Sequence, residues 1–256
     1  MVEISATRSA PSAGLQSVWT QVLCPPQAID GELEMQWLDA ALDGCATAAL
    51  WTGQPALVAP LSYRRHASLD AACAASGVRG WPVRLRRSGG GVVPQGPGIL
   101  NVTLAYPCTR AAGDMAELVY AHLCQLLVDA LAKLGVSAFA SAVEGSFCDR
   151  RFNLAVNHAG SPRKIAGTAQ YWRRGKGTQA VLAHALLIVS ADPAGLSAQA
   201  NQFEADLDSG RHYKAEALAS VAQCWAAAHP GITLPGETDQ TFFDSVRQHL
   251  ADALIS

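Results

Sequence analysis

The chain has 256 residues, 50% of them hydrophobic, with a formal net charge of −2 and seven cysteines. This composition provides material for a sizeable buried core, and without a basic excess it excludes a surface built mainly to bind nucleic acid or an anionic membrane. The cysteines include no Cys-x-x-Cys pair, which argues against a structural zinc site and a disulfide framework, so we expect a reduced, cytoplasmic protein.

The N-terminal residues are expected to form a disordered head. Residues 1–15 are rich in Ser, Ala and Pro and lack the apolar core of a signal peptide. No later run approaches the roughly 20 apolar residues that span a bilayer, so we expect no membrane contact. Residues 16–256 contain no linker or repeat and predict a single domain.

The first half of the chain predicts short strands around two helices. Apolar residues at helical spacing before Gly44 predict a helix, and the turn-like composition of 52–55 predicts a β-hairpin between its flanking strands. The expected order is strand Gln16–Cys24, helix Asp30–Gly44, strands Ala48–Trp51 and Ala56–Pro60, helix Ser68–Ala75, and strands Val83–Arg87 and Ile99–Tyr106.

The second half predicts one long helix, a group of strands and an alanine-rich helical end. An apolar stripe from Asp114 to Leu134 predicts the long helix, and three β-prone runs joined by short turns predict an antiparallel meander. The runs are Phe152–Val156, Lys164–Trp172 and Ala180–Val189, and the later helices are Leu196–Leu207, Ala215–Ala227 and Thr238–Leu254. The chain is therefore predicted to be an α+β domain.

A triple glycine, Gly89-Gly90-Gly91, follows Arg86-Arg87-Ser88. Three glycines in a row are conformationally costly unless the backbone needs positive φ or approaches another group closely, and exposed amides there suit a carboxylate or phosphate. The pattern is neither a P-loop nor a dinucleotide fingerprint, because another strand follows it. A binding loop and a flexible hairpin loop are both compatible with the sequence.

Lys164 and Cys148 are the candidate chemical groups. A lysine in a strand usually points to solvent, but Gly167, Thr168 and Ala169 leave space beside Lys164 for a ligand, where an ammonium can polarise a carbonyl. Cys148 lies in a polar, arginine-containing stretch that favours a thiolate, and it is the best candidate nucleophile. We expect the other six cysteines to be inert core residues.

His184 lies in an otherwise apolar strand. A hydrogen-bonded structural imidazole is the ordinary interpretation of such a residue, and a role in lining a site is the alternative. The other six histidines have no ligand-like spacing with Asp, Glu or Cys. We therefore expect no metal site.

Three motifs in order resemble the lipoate-protein ligase and octanoyltransferase family, whose catalytic domain is shared with biotin-protein ligases. Arg86–Asn101 is similar to the family loop R-R-x-S-G-G-G-x-V-x-H-D-x-G-N-L-N, Arg163–Gln170 to G-R-K-I-x-G-S-A-Q, and His184–Leu187 to H-G-x-L-L. The chain departs from the first motif at Pro94-Gln95, where typical ligases have His-Asp, and at Ile99, where they have Asn.

The resemblance implies a mixed, largely antiparallel sheet flanked by helices, a tunnel for an acyl chain, and a lysine that contacts the carbonyl end of lipoate or octanoate. Carried over to this chain, that lysine is Lys164, and the catalytic pair is Cys148 and Lys164. The implied substrate-binding residues are Arg86, Arg87, Ser88, Gly89, Gly90, Gly91, Gly98, Asn101, Gly167, Thr168, Ala169 and His184.

The resemblance implies three possible functions. In a transferase, Cys148 takes an octanoyl or lipoyl group as a thioester, for example from acyl carrier protein, and passes it to a lysine of a lipoyl-domain protein or a glycine-cleavage H-type carrier, with no cofactor. In a ligase, ATP and Mg²⁺ activate free lipoate as an adenylate. In a binding protein, recognition remains without chemistry. The cysteine upstream of the lysine motif favours the transferase.

Overall fold

The computed structural model describes residues 19, 22–25, 28, 32–148, 151–158, 160–231 and 233–255. In this part of the chain the elements are β1 Val22–Leu23, α1 Glu32–Leu42, β2 Thr47–Trp51, β3 Ala56–Pro60, α2 Leu69–Val78, β4 Val83–Arg86, β5 Val93–Gln95, β6 Ile99–Cys108, α3 Ala112–Ala132, β7 Ala138–Ala140, β8 Leu154–His158, β9 Ser161–Arg174, β10 Gln179–Ile188, α4 Pro193–Asp206, α5 Val221–Ala228 and α6 Gln240–Ile255. The expected α+β class is confirmed.

The strands form two sheets. The larger has the order β1-β2-β6-β10-β9-β8-β7, and all its pairs are antiparallel except β1 with β2. The smaller has the order β4-β3-β5. The predicted meander is confirmed as β8-β9-β10, and β6 pairs with β10 along its whole length, from Ile99 opposite Ile188 to Cys108 opposite Gln179.

The two faces of the larger sheet have different partners because side chains alternate along each strand. The even positions of β6, such as Leu100 and Leu104, join α3 and α6 in the main core. The opposite face, which we call the site face, contacts α1 through Ala105 and Leu182. Asn101, Thr103 and His184 lie on the site face beyond α1, where the smaller sheet leaves room for a cavity.

The predicted hairpin between Ala48–Trp51 and Ala56–Pro60 is wrong. Both strands exist, but β2 pairs with β6 in the larger sheet, whereas β3 pairs with β4 and β5 in the smaller one. The turn-like residues between them therefore connect two sheets. Their composition predicts a change of chain direction, but it does not determine which strand the following strand pairs with. β5 and β7, each of three residues, were too short to predict.

The predicted helix over Ala215–Ala227 is divided in the structure. Ala215–Ala217 form a short 3₁₀ turn, and α5 begins only after Ser220. The side chains of Ser220 and Gln223 each bond the other's backbone N–H, a capping box that starts the helix there. Residues 1–15 and most of the predicted strand Gln16–Cys24 lie outside the described residues.

Helix α3 is the one described helix that is long and apolar enough to cross a membrane by length and composition. Core helices of soluble proteins meet the same criterion. Its apolar stripe, which includes Met115, Val119, Leu123 and Leu127, is buried against the sheet. Packing within the domain therefore accounts for the apolar character of this helix.

The buried thiol of Cys124 on α3 gives a prediction about alkaline stability. Burial raises the pKa of Cys124 from 9.0 to about 12, so the folded protein retains a proton that the unfolded chain releases above about pH 9. We expect the free energy of unfolding to fall as pH rises from 9 towards 12, and to fall less in Cys124→Ala. Denaturant titrations at several pH values measure this slope, and Cys45→Ser at an exposed cysteine is the control.

Candidate active site

A β-bulge in β9 brings Lys164 to the site face. Ala155 pairs with Lys164 but the preceding Leu154 pairs with Ala166, so Ile165 has no partner of its own on β8. An extra residue of this kind reverses the alternation of side chains. Ile165 and Ala166 enter the main core, and Lys164 borders the same cavity as Gly167.

The amine of Lys164 is buried and bound to carbonyl groups. Lys164 is 3% exposed, and its Nζ donates to the carbonyl oxygen of Phe147 and, at 3.2 Å, to that of Cys148. A Cβ at Gly167 would lie 3.2 Å from this Nζ, so any side chain at position 167 would crowd the amine. The lysine therefore fixes the loop that carries the candidate nucleophile.

The backbone at Cys148 is unusual for a residue with a side chain. Its φ is +54°, in the left-handed region that costs non-glycine residues about 1 kcal/mol or more. Asn153 donates a hydrogen bond from Nδ2 to the Cys148 carbonyl oxygen, which Lys164 also contacts. These contacts hold the strained residue with its thiol at the edge of the cavity.

The glycine loop lies directly against that thiol. Gly90 has φ +112°, and a Cβ there would lie 2.6 Å from Sγ of Cys148. The Arg86 guanidinium donates to the carbonyl oxygens of Gly89, Gly91 and Val58 at 3.0, 2.7 and 2.5 Å. These hydrogen bonds from Arg86 fix the conformation of the glycine loop, and the absence of a side chain at Gly90 lets the loop approach Sγ of Cys148.

Gly91 packs against a buried cluster of side chains that are hydrogen-bonded to the carboxylate of Glu204. A Cβ there would lie 2.6 Å from the Tyr213 hydroxyl, which donates to Oε1 of Glu204 at 2.7 Å. Glu204 is fully buried and also accepts from Tyr63 at 2.5 Å and Ser209 at 2.6 Å. Since hydrogen bonds to a buried charge are strong, this cluster is a rigid support for the loop.

Gly90→Ala is expected to reduce the reactivity of Cys148. The methyl group would overlap Sγ and the residue would be strained at positive φ, so we expect alkylation of Cys148 by iodoacetamide to slow about 10-fold and the protein to lose about 1–3 kcal/mol of stability. Gly89→Ala is a matched control, since a Cβ there meets no atom of the described residues within 4 Å. Equal alkylation rates in the two variants would contradict the contact.

A cavity of about 430 Å³ opens between the site face, the smaller sheet and the glycine loop. Apolar side chains such as Val58, Leu182 and Ile188 line it, with a few polar groups at one side, as is typical of sites for small molecules with an apolar chain. The predicted site residues that border it are Arg86, Arg87, Ser88, Gly89, Asn101, Cys148, Lys164, Gly167, Thr168, Ala169 and His184.

Three predicted residues lie elsewhere. Gly90 and Gly91 border a second cavity, and Cys148 borders both. Gly98 borders neither of these two. It has φ +72°, a Cβ there would lie 2.8 Å from Cα of Ala191, and its carbonyl oxygen accepts from three successive amides, of which Val189 is the first. The structure therefore gives Gly98 a turn position behind the cavity.

His184 belongs to a polar network on the site face. Its Nδ1 lies 3.2 Å from Oε1 of Glu34, and its Nε2 lies 3.4 Å from Oγ of Ser88. Glu34 also accepts from Thr103 at 2.6 Å. The imidazole therefore links a carboxylate on α1 to the start of the glycine loop. His184 is thus both a hydrogen-bonded structural residue and a residue that lines the cavity.

Glu34 was missed in the sequence analysis. It lies on α1 far from every motif, and only the packing of α1 on the site face brings it within reach of His184. Its signal in the sequence is faint, because Glu32 and Asp39 are acidic residues of the same helix. Helix position alone does not separate such a residue from an ordinary exposed glutamate.

Gln95, one of the departures from the family loop, forms an amide pair with Asn101. The two side chains exchange hydrogen bonds of 2.7 and 2.9 Å, and both are buried beside the cavity. Asn101 also donates to the carbonyl oxygen of Trp51 at 3.4 Å. The cavity wall at this point is neutral and its polar groups are satisfied.

The expectation that the other six cysteines are core residues is wrong in part. Cys108 and Cys124 are buried, Cys73 and Cys224 are half-buried, but Cys24 and Cys45 are exposed. Arg150, one of the two arginines expected to favour a thiolate at Cys148, lies outside the described residues. Arg151 is exposed and pairs with Glu117.

Comparison with known proteins agrees with the fold and motifs. The family model described as lipoyl protein ligase A/B catalytic domain matches residues 35–225. An uncharacterized protein of Cupriavidus necator is 49% identical over 203 residues, 76% of this chain and 80% of that protein. An octanoyl-[GcvH]:protein N-octanoyltransferase of Kyrpidia tusciae is 35% identical over 71% of this chain, but the match spans only 63% of that relative.

Among solved structures, a lipoate-protein ligase A bound with ATP superposes with a TM-score of 0.61 over 91% of this chain and 83% of the ligase. The two sequences are 18% identical. At that identity the likeness establishes the fold, and it matches the predicted sheet flanked by helices.

Proposed function

Because the chain belongs to the lipoyl protein ligase A/B catalytic domain family, we propose that it is an acyltransferase that moves an octanoyl or lipoyl group to a lysine of a carrier protein through a thioester on Cys148. Membership of the family makes the chain an enzyme that transfers or ligates lipoyl or octanoyl groups. The thioester route is supported by one arrangement above all: Cys148 and Lys164 border one apolar cavity, and Nζ of Lys164 donates a hydrogen bond to the backbone carbonyl oxygen of Cys148.

The proposed reaction has two steps. The Cys148 thiol gives up its proton and its sulfur attacks the acyl carbonyl of the donor. An S–C bond forms, the bond between the carbonyl carbon and the donor's nitrogen or sulfur breaks, and the leaving group takes up the proton. The amine of the acceptor lysine then attacks the thioester, a C–N bond forms, the C–S bond breaks, and the proton released by the amine returns to the thiolate. The acyl chain lies in the apolar cavity throughout, and the ammonium of Lys164 stabilises negative charge at the loop.

The donor and acceptor are carrier proteins in this proposal. The name of the Kyrpidia relative describes transfer from octanoyl-GcvH to a protein, which supports an H-type carrier as donor and a lipoyl domain as acceptor. Acyl carrier protein is a further donor to test. The reaction takes place in the cytoplasm and requires no nucleic acid or membrane.

ATP and Mg²⁺ are the cofactors of the ligase alternative, because the solved ligase with the same fold binds ATP. Magnesium bound with a nucleotide usually takes one or two carboxylates besides the phosphates. Glu34, the buried carboxylate of the cavity, is already engaged by Thr103 and His184 and fits a magnesium ligand poorly. Glu32 is exposed and borders the same cavity, so it is the carboxylate that would hold a magnesium ion in a ligase. No step of the proposal uses the nucleotide.

Intact-protein mass spectrometry tests the proposal. After incubation with octanoyl-GcvH or octanoyl acyl carrier protein, without ATP, we expect one octanoyl adduct that peptide mapping places on Cys148 and that hydroxylamine removes. Lipoate-dependent release of pyrophosphate without an adduct would identify a ligase instead. Calorimetric binding of octanoate without either reaction would identify a binding protein.

A further inference from the structure

Positive charge is concentrated in one segment of the chain. Residues 44–113 contain seven arginines, no lysine and a single acidic residue, Asp70, so this segment has a formal charge of +6 although the whole chain has −2. The smaller sheet and the glycine loop, which border the apolar cavity, belong to this segment. The molecule is therefore electrostatically uneven, with its basic part at the candidate active site.

Three of these arginines lie at one edge of the smaller sheet, next to the glycine loop. β3 and β4 are parallel, with Pro60 opposite Arg86, so both strands end at the same edge. Beyond this edge, β3 continues into a 3₁₀ turn that ends with Arg64 and Arg65, and β4 continues into Arg87 and the glycines. All three residues are exposed, and none of them forms an ion pair with another described residue.

A fourth arginine reaches this edge from the segment that follows α4. Arg211 is exposed, and its Nη1 donates to the Tyr63 hydroxyl at 3.0 Å and would lie 3.2 Å from a Cβ at Gly91. Tyr63 belongs to the same 3₁₀ turn as the first two arginines. We call the four exposed arginines at this edge the basic face: Arg64, Arg65, Arg87 and Arg211.

The basic face keeps an excess of positive charge beside the proposed nucleophile. The acidic residues nearest to its members in the sequence are Asp70 and Asp208, so two carboxylates stand against four guanidinium groups. Arg87 borders the apolar cavity and Arg211 borders the second cavity, and Cys148 borders both. A protein that brings an acyl group to Cys148 therefore meets the basic face.

On the basis of the proposed function, we infer that the basic face binds an acidic surface around the modified lysine of the carrier protein. Both carriers bring a lysine side chain to Cys148, because one sulfur takes part in both steps. The carrier surface around that lysine then lies against the residues that flank Cys148, and interfaces pair surfaces of opposite charge. Guanidinium groups suit carboxylates in particular, because the two form paired hydrogen bonds.

Nucleic acid is the other class of partner that a basic face can bind. A long polyanion would extend beyond the four arginines onto the rest of the molecule, whose residues carry a net charge of −8 outside the segment 44–113. That charge repels a polyanion. A folded carrier needs complementary charge only over the limited area of one interface, so the charge distribution favours the carrier.

Charge reversal at Arg64 and Arg65 tests the inference, because both residues are exposed and border neither cavity. In Arg64→Glu/Arg65→Glu at low salt, we expect kcat/KM for thioester formation from octanoyl-GcvH to fall about 10-fold through the loss of electrostatic steering. We expect the Kd for unacylated GcvH, measured by calorimetry, to rise about 10-fold. With octanoyl-N-acetylcysteamine, a neutral donor without a protein surface, the rate is expected to be unchanged. At about 0.5 M NaCl, screening is expected to remove the difference between the variant and the unaltered protein.

Arg174→Glu/Lys176→Glu is the matched control, because it reverses the same number of charges at two exposed residues that border neither cavity. Unchanged affinity and kinetics with GcvH in Arg64→Glu/Arg65→Glu would overturn the inference. So would equal slowing with the small donor or in the control variant, or tight binding of duplex DNA that the substitutions abolish. Binding of GcvH that depends on the basic face, without any thioester in the unaltered protein, would keep the docking surface and overturn the proposed function itself.

Discussion

Cys148→Ser is expected to lower the rate of acyl transfer by about 1,000-fold or more. Serine has nearly the same size and preserves the hydrogen bonds to the Cys148 carbonyl oxygen. Its hydroxyl, however, ionises far less readily than a thiol and forms no thioester. The measurement is kcat/KM for transfer of octanoyl from a carrier donor to a lipoyl domain, together with the mass of the protein after incubation with donor alone.

Cys45→Ser controls for loss of a thiol as such, because Cys45 is exposed and borders neither cavity. It is expected to retain full activity. If Cys148→Ser also retained full activity, a covalent intermediate on this residue would be excluded. The thermal unfolding of Cys148→Ser is expected to match that of the unaltered protein, so a loss of activity in this variant would be due to the missing thiol and not to unfolding.

Lys164→Met is expected to have the second largest effect. Methionine fills much of the space of the lysine stem but donates no hydrogen bond, so the Phe147 and Cys148 carbonyl oxygens lose a buried partner. We expect a loss of about 1–3 kcal/mol in stability and about 100-fold in acyl transfer, comparable to the removal of one donor from an oxyanion site. Denaturant unfolding and single-turnover transfer measure the two effects separately.

Lys176→Met, at an exposed lysine in the β9–β10 turn, is the control for loss of a positive charge. Lys164→Arg is a sharper test of geometry. A Cβ at Gly167 would already lie 3.2 Å from the amine, so a guanidinium has little room, and we expect this variant to recover less than half of the lost activity. Full recovery in Lys164→Arg would show that charge alone is required at this position.

The sequence motifs led to most residues of the site because each motif combines an unusual residue with small neighbours. The glycine loop and Lys164 were selected in this way, and His184 was selected because its strand is otherwise apolar; the structure brings all three around one cavity. Glu34 was not selected, because nothing in a helix sequence states which strand its carboxylate will meet.

Periodicity predicted the long elements and failed for short or irregular ones. The stripe of α3 and the meander β8-β9-β10 bury many apolar residues with a regular period, and their patterns are clear. The assignment of β3 to a second sheet and the bulge at Ile165 depend on pairing between distant segments. Neither leaves a local pattern in the sequence.

The unpaired position at Ile165 decides which way the amine of Lys164 points. Residues three apart on a regular strand lie on opposite faces, so a ladder that paired every residue from Gly167 to Lys164 would turn the amine towards the helices α3 and α6 instead of the thiol. The spacing Lys-x-x-Gly on one face is thus a matter of strand parity: an odd separation reaches the same face only where one residue is left out of the pairing.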